Sequence, residues 1–455
     1  MKGAAVQTDI DPEWAWAEFR PSADDWSIRT AAHLFRRAGF GATVTELQDA
    51  VKAGPAATID SMFRSTAERP AFITQMQSLA NAGLATGNPK QLSAWWAYRM
   101  LATPAQLLEK LTLFWHGHFA TSAEKVGDAE LMFEQNSLLR QFALGDFLQL
   151  VLQISRDPAM LIYLDSATNR KAHPNENFAR EIMELFCLGE GHYSENDIRE
   201  LARCFTGWEV RRRKFRFNRY QHDTGAKSIL GETGEFGGEQ GVQVVVRQKA
   251  APRFIVSRLV RFLVMDEPEC SAELIEPLVA ELRESQMNVR STVRRILSSN
   301  LFFSQHSVGR KVKSPVELAI GFLRTFEGST NTFELAEAMQ QLGQGLFYPP
   351  SVKGWDGGRT WINSSTLLGR SNLIRHLLEH DKTRFAKQSL SDYLSANKLA
   401  GSEALIDFFE RTLFAIPIPS AAKLRISKLA GNMQTKRQQV EAIHAICTLP
   451  EFQLG

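Results

Sequence analysis

Two histidines separated by one residue, in Phe114-Trp115-His116-Gly117-His118-Phe119, have the types and spacing to do chemistry. Residues two apart face the same side only in extended backbone. If Gly117 ends the preceding helix, His116 and His118 can therefore share one divalent metal ion. The structural alternative has one ring bonded at the helix C-terminus, where a cation is favoured, and the other packed as a polar-tipped aromatic.

A second group lies in His173-Pro174-Asn175-Glu176-Asn177-Phe178-Ala179-Arg180-Glu181-Ile182-Met183-Glu184-Leu185. At about 100° per residue, Glu176, Arg180 and Glu184 stack along one side of a helix, and Glu181 borders the apolar stripe of Phe178, Ile182 and Leu185. Exposed, these residues make a salt-bridge ladder contributing roughly a few tenths of a kcal/mol per pair. Half-buried, Glu181 needs a cation, a donor or a metal. The catalytic reading makes Glu176, Glu181 and Glu184 metal ligands or proton-transfer groups, with Arg180 orienting a carboxylate or anionic substrate.

Two Gly-rich segments supply the remaining candidates. His222 and Asp223, in Gln221-His222-Asp223-Thr224-Gly225, are either further metal ligands or an Asx-type turn with an exposed histidine. Lys353, Trp355 and Asp356, with Trp361, Asn363 and Arg370 nearby, suit the wall of a carbohydrate or other polar-ring pocket, a partner-binding loop or a structural plug. No Gly-x-Ser-x-Gly elbow, phosphate-binding loop, dinucleotide fingerprint or His-Glu-x-x-His occurs, so those catalytic classes lose their usual support.

The elements that must position these residues read as helices. Apolar residues recur at three and four over 28–37, 44–53, 92–101, 104–115, 131–144 and 147–155, and again over 252–264, 271–284, 289–298, 315–326 and 331–342. Ser194 with Asp197 caps a helix that should stop near Thr206-Gly207. The expected fold is all-α, a mainly helical multi-helix globular bundle, with a small β-hairpin or Gly-rich insertion at about 209–246 that is not helical. In that insertion Arg211, Arg212, Arg213, Lys214, Arg216 and Arg219 interleave with Phe215, Phe217 and Tyr220. This is the alternation of a strand, or of a surface gripping a phosphate backbone. The expected organisation is an N-terminal extension at 1–26, a helical core at 27–384 and a small C-terminal helical subdomain at 385–455.

Hydrophobic residues at 44% and charged residues at 23% place the chain among ordinary globular proteins. Its formal charge of +3 is too small to make nucleic acid the expected partner. The four cysteines, Cys187, Cys204, Cys270 and Cys447, form no CxxC pair, so reduced buried thiols are expected. No run of about eighteen apolar residues suggests a membrane span. Residues 1–20 carry Asp9, Asp11, Glu13 and Glu18 without the apolar core of a secretory signal, which by itself points to the cytoplasm.

Taken in order, several segments resemble the bacterial domain-of-unknown-function family 1800 (DUF1800). They are Leu34-Phe35-Arg36-Arg37-Ala38-Gly39-Phe40-Gly41, the Phe-Trp-His-Gly-His-Phe run, Asn175-Glu176-Asn177-Phe178-Ala179-Arg180-Glu181, and Arg199-Glu200-Leu201-Ala202-Arg203 with Thr206-Gly207-Trp208. His222-Asp223, Lys313-Ser314-Pro315-Val316-Glu317 and Leu342-Gly343-Gln344 through Lys353-Gly354-Trp355 continue the match. The resemblance covers roughly residues 27–375 and leaves the tail outside.

That family has no established activity. Many members carry a secretory or twin-arginine signal and are encoded beside a sulfatase-like family numbered 1501. The resemblance thus implies a periplasmic or envelope role with a protein partner of that family, in contrast to the N-terminus of this chain. Two functions follow. In the first, the histidines, the glutamate-rich helix and the 222–223 turn converge on a polar pocket, with a divalent metal ion as possible cofactor, for hydrolytic or oxidative chemistry. In the second, the same residues lock the helices of a non-catalytic scaffold or accessory subunit.

Overall fold

Apolar periodicity is realised as helix almost everywhere in the computed structural model, which describes residues 10–22, 24–64, 68–430 and 433–455. The first nine residues, which hold Asp9 and the start of the segment read for a signal, lie outside the described residues. The described residues form 25 α-helices with three two-stranded antiparallel sheets, so the protein is mainly α with a small β insertion. No described helix is long and apolar enough to cross a membrane.

Local signals explain several boundaries. Thr43 and Glu46 form a reciprocal capping box at the start of Val44–Ala53, and Gly54 follows its end. Ser194 and Asp197 do the same for Glu195–Cys204. Ser314 and Glu317 start Pro315–Thr325, with proline in the first turn where its missing N–H costs nothing.

Two apolar cores meet along helix Gln106–His118. One side of this helix contributes Leu107, Leu111, Phe114 and Trp115 to a core shared with helices between residues 28 and 302. Leu113 joins a second core, built from Pro89–Ala102, Pro315–Thr325, Thr332–Gln341, Ser364–Glu379 and the C-terminal helices. A helix with cores on both sides must bury its polar residues too, and each is paired. Glu109 is held by Arg99, Arg140 and Trp96, and Lys110 Nζ lies 2.6 Å from Glu317 Oε1.

The tail closes onto the same structure. The Gly455 N–H donates to the Lys311 carbonyl at 2.8 Å, Lys313 Nζ donates to the Phe452 carbonyl at 2.7 Å, and Arg370 bridges Lys313 and Gln453.

The insertion matches expectation at its start and departs from it at its end. Its basic run is a hairpin, with Trp208–Arg211 pairing with Lys214–Phe217 across Arg212 and Arg213, both at positive φ. Its aromatics divide, since Phe215 packs edge-on against Trp208 whereas Phe217 and Tyr220 are exposed. Its end is helical: Gly238–Val246 forms a regular helix, correcting the non-helical reading. The glycines there serve close packing, because a Cβ on Gly238 would overlap the Trp208 ring and one on Gly241 would crowd Leu201.

Candidate functional site

Helix Gln106–His118 runs straight through Gly117, which corrects the expectation of an extended His-Gly-His. Residues two apart on a helix point about 200° apart, so the rings diverge. His116 Nε2 accepts the Phe347 N–H at 3.1 Å and packs beside Trp96, Phe347 and Trp355. On the other side, His118 Nε2 lies 2.9 Å from the Phe186 carbonyl and must therefore carry the proton. Gly117 serves close approach instead of termination, since the Trp355 ring lies over it and the backbone of Gly354 abuts its carbonyl.

Burial pushes His116 down to about 3 from an ordinary 6.5, and burial with the nearby Arg258 charge does the same to His118. Burial also holds His33 well below 6.5. All three rings are neutral in the fold but protonate near 6.5 in the unfolded chain. Their stabilising effect is complete above pH 6.5 and is lost progressively as pH falls, toward about 3 for His116 and His118. Asp157 opposes them, because burial raises it to about 7 and favours the fold as pH falls toward 3.8. The three rings, with half-buried His444 lowered in the same sense, outweigh Asp157 and the more modestly raised Glu181 and predict a urea midpoint that falls between pH 6.5 and 4.5. A flat midpoint over that interval would contradict neutral burial of these histidines.

The His118 side opens on a cavity of about 350 Å³. Phe114 and His118 form its floor, and Phe254, Arg258, Arg261 and Phe262 come from helix Ala250–Leu263. Glu184 and Leu185 line one flank, and Lys353, Trp355, Asp356 and Trp361 another. Lys311, Glu317, Asp266 and Gln344 complete the lining. Aromatic walls with a few charged groups at this volume match a small-molecule site.

The charges in this cavity are unequally matched. Lys311 Nζ is 2.9 Å from Asp266, and Glu317 is taken by Lys110. Arg261 donates to the Asp356 carbonyl at 2.8 Å. Arg258 packs its guanidinium 5.1 Å from the centre of the Phe254 ring and has no hydrogen bond or ion pair with any described residue. Burial, followed by the like charge of Arg261, lowers its pKa, and Glu269 only partly offsets them. A half-buried arginine with donors to spare is a place for an anion.

The glutamate-rich helix divides between surface and cavity. Asn175 caps Glu176–Glu181, which continues as a π-helical turn over Ile182–Cys187. Arg180 makes a bidentate pair with Glu195 at 2.8 Å and lies 3.6 Å from Glu176, so these residues form the surface ladder. Glu181 is half-buried, and burial followed by the charge of Glu184 raises its pKa. Glu184 reaches the cavity and accepts the Tyr193 hydroxyl at 2.8 Å. Glu184 lies in the π turn, and such turns occur frequently at functional sites.

His222 and Asp223 do not line the cavity. His222 Nδ1 lies 2.8 Å from the Thr206 carbonyl, and Asp223 holds Arg203 at 2.7 Å while accepting the Gly225 N–H. His116, His118, His222 and Asp223 form no group of three close ligand atoms. Thus His118, Glu184, Lys353, Trp355 and Asp356 share one cavity, whereas Glu176, Arg180, His222 and Asp223 do not line it. Sequence reading missed Arg258. A signal was present, for Phe254, Arg258 and Phe262 recur every four residues and form one stripe beside the apolar face of their helix.

A family model described as "Protein of unknown function (DUF1800)" matches residues 33–454, extending through the tail well beyond residue 375. No curated protein and no solved structure matches the chain.

Proposed function

The chain belongs to the DUF1800 family of unknown function, and from that premise we propose that its work is done in the cavity beside His118, on a small anionic molecule carrying a ring. The observation carrying this reading is Arg258, a half-buried cation without a carboxylate partner among the described residues, set between aromatic walls. Arg258 and Arg261 hold the anion, while Phe254, Phe262 and Trp355 pack its ring. His118 stays neutral and turns Nδ1 to the ligand as an acceptor, its Nε2 proton being spent on Phe186.

The chemistry that fits is hydrolytic. Glu184 is the proton-transfer carboxylate, positioned by the Tyr193 hydroxyl. The sulfatase-like partner of family 1501, implied by the resemblance, belongs to this reading as a protein acting beside the pocket. Co-purification with that partner checks it.

Phenyl phosphate, phenyl sulfate and benzoate are suitable probes, titrated against wild type, Arg258→Gln and Arg258→Lys. At least one should bind wild type saturably, and Arg258→Gln should weaken it by about 10–100-fold, the equivalent of a lost charge-assisted hydrogen bond. Arg258→Lys should recover part of that loss. Binding unchanged in Arg258→Gln, or no probe bound by wild type, sinks the anion pocket and leaves a scaffold role.

A further inference from the structure

Sequence reading sought a metal at His-Gly-His; a different histidine pair has the required geometry. His376 and His380 lie one turn apart at the C-terminal end of helix Ser364–Glu379 and so face the same side. Their ring centres are 4.8 Å apart. Glu334, from the neighbouring helix Thr332–Gln341, brings Oε2 to 3.2 Å from His380 Nε2 and 3.5 Å from His376 Nε2. Ligand atoms of these three residues all lie within 4.8 Å of one another, and no other described group of three or more histidine, cysteine, aspartate or glutamate residues does so.

We infer that Glu334, His376 and His380 form a binding site for a zinc-like divalent transition-metal ion, its remaining coordination position beside a solvent-open cleft. With metal–ligand bonds of about 2.0–2.2 Å, neighbouring ligand atoms around a tetrahedral ion stand about 3.3–3.5 Å apart. The two histidine–glutamate separations, 3.5 and 3.2 Å, lie within this spacing and just below it. Two imidazoles and one carboxylate are also a donor set that suits zinc and leaves a fourth position open.

The surroundings support the ligands. Glu334 Oε1 is held by the Asn331 side-chain amide at 2.5 Å, which leaves Oε2 for the ion. The negative end of helix Ser364–Glu379 favours a cation at this place. His380 Nδ1 now accepts the Lys382 N–H at 3.2 Å, so its proton resides on Nε2. Binding an ion through Nε2 would place that proton on Nδ1 at the cost of the Lys382 contact, with Asp381 Oδ1 3.8 Å away as the nearest carboxylate to receive it. The cleft beside the site is about 480 Å³, runs between the two helices and is lined by Glu334, Glu337, Thr366, Asn372 and His376. A ligand arriving there meets the open position.

Zinc chloride titration by calorimetry, on full-length protein stripped with chelator, tests the assignment. Wild type should bind one equivalent in the micromolar range or tighter, and a His376→Ala/His380→Ala variant should lose that equivalent. Glu334→Gln should weaken it by about tenfold or more. Cobalt(II) in place of zinc should give the visible absorption of a tetrahedral nitrogen–oxygen site in wild type alone. Melting each protein without metal checks that the variants fold; a variant that does not is replaced by the single His376→Asn. No zinc bound by wild type, or the same equivalent bound by the double variant, overturns the site.

Discussion

Glu109→Gln should lower the unfolding free energy by about 3–5 kcal/mol, the range for removing one member of a buried charge pair. Glu109 is fully buried, with one carboxylate oxygen 2.7 Å from Arg99 and the other 2.7 Å from Arg140 and 2.5 Å from the Trp96 indole nitrogen. Glutamine keeps the volume but offers one accepting oxygen, and its amide hydrogens point at guanidinium hydrogens. Arg99 retains the carboxylate of Glu68, whereas Arg140 retains the neutral Asn136 and the face of Trp95. Arg140 is therefore the group left short of a counter-charge.

The two arginines hold Glu109 well down the acid range, to about 2 from 4.5, although burial alone would raise it. A depressed carboxylate stabilises the fold fully above its unfolded value and loses that effect as pH falls through its folded value. The difference between wild type and Glu109→Gln should thus shrink between pH 4.5 and about 2. Glu195→Gln is the control, since this exposed carboxylate pairs with Arg180 at the surface, where solvent and salt screen such pairs and its loss should barely move stability. Urea unfolding of the variants at pH 7 decides it. A loss below about 1 kcal/mol for Glu109→Gln would mean that water or a rearranged partner replaces the charge.

The contrast between Glu109 and Arg258 shows how far sequence reading reaches. Helices such as Val44–Ala53 and Glu195–Cys204 are readable because their caps lie within a few residues of their apolar stripes. Pairing is not local. Glu109 meets Arg140, and Glu334 meets His380, from separate helices, and no periodicity in one segment reveals the other. The spacing of His376 and His380 is visible in sequence, but it becomes a site only when Thr332–Gln341 supplies the carboxylate. Gly117, expected to end a helix, and Gly238, expected in a non-helical insertion, are both helical for one shared reason. An aromatic ring, Trp355 or Trp208, packs against each helix where a side chain would otherwise stand. Lys353, Trp355 and Asp356 were recognisable as an irregular segment near a pocket, whereas the cavity they face depends on that docking.

The docking can itself be tested, because Gly354→Ala should remove the pocket wall. Gly354 has φ +75°, and a Cβ there would overlap the Gly117 carbonyl, which the rigid helix cannot move. Two costs combine: left-handed backbone strain of about 1–2 kcal/mol for alanine, and an overlap relieved only by lifting the segment from helix Gln106–His118. Gly87→Ala separates them, since Gly87 has φ +66° with nothing within 4 Å of its added Cβ. That variant should lose only the strain. Gly354→Ala should lose more stability and should also abolish probe binding, although Arg258 and Phe254 remain on their own helix. Should Gly354→Ala match Gly87→Ala in urea and bind the probe like wild type, the 353–356 segment would be dispensable packing and the ligand would be held by helix Ala250–Leu263 alone.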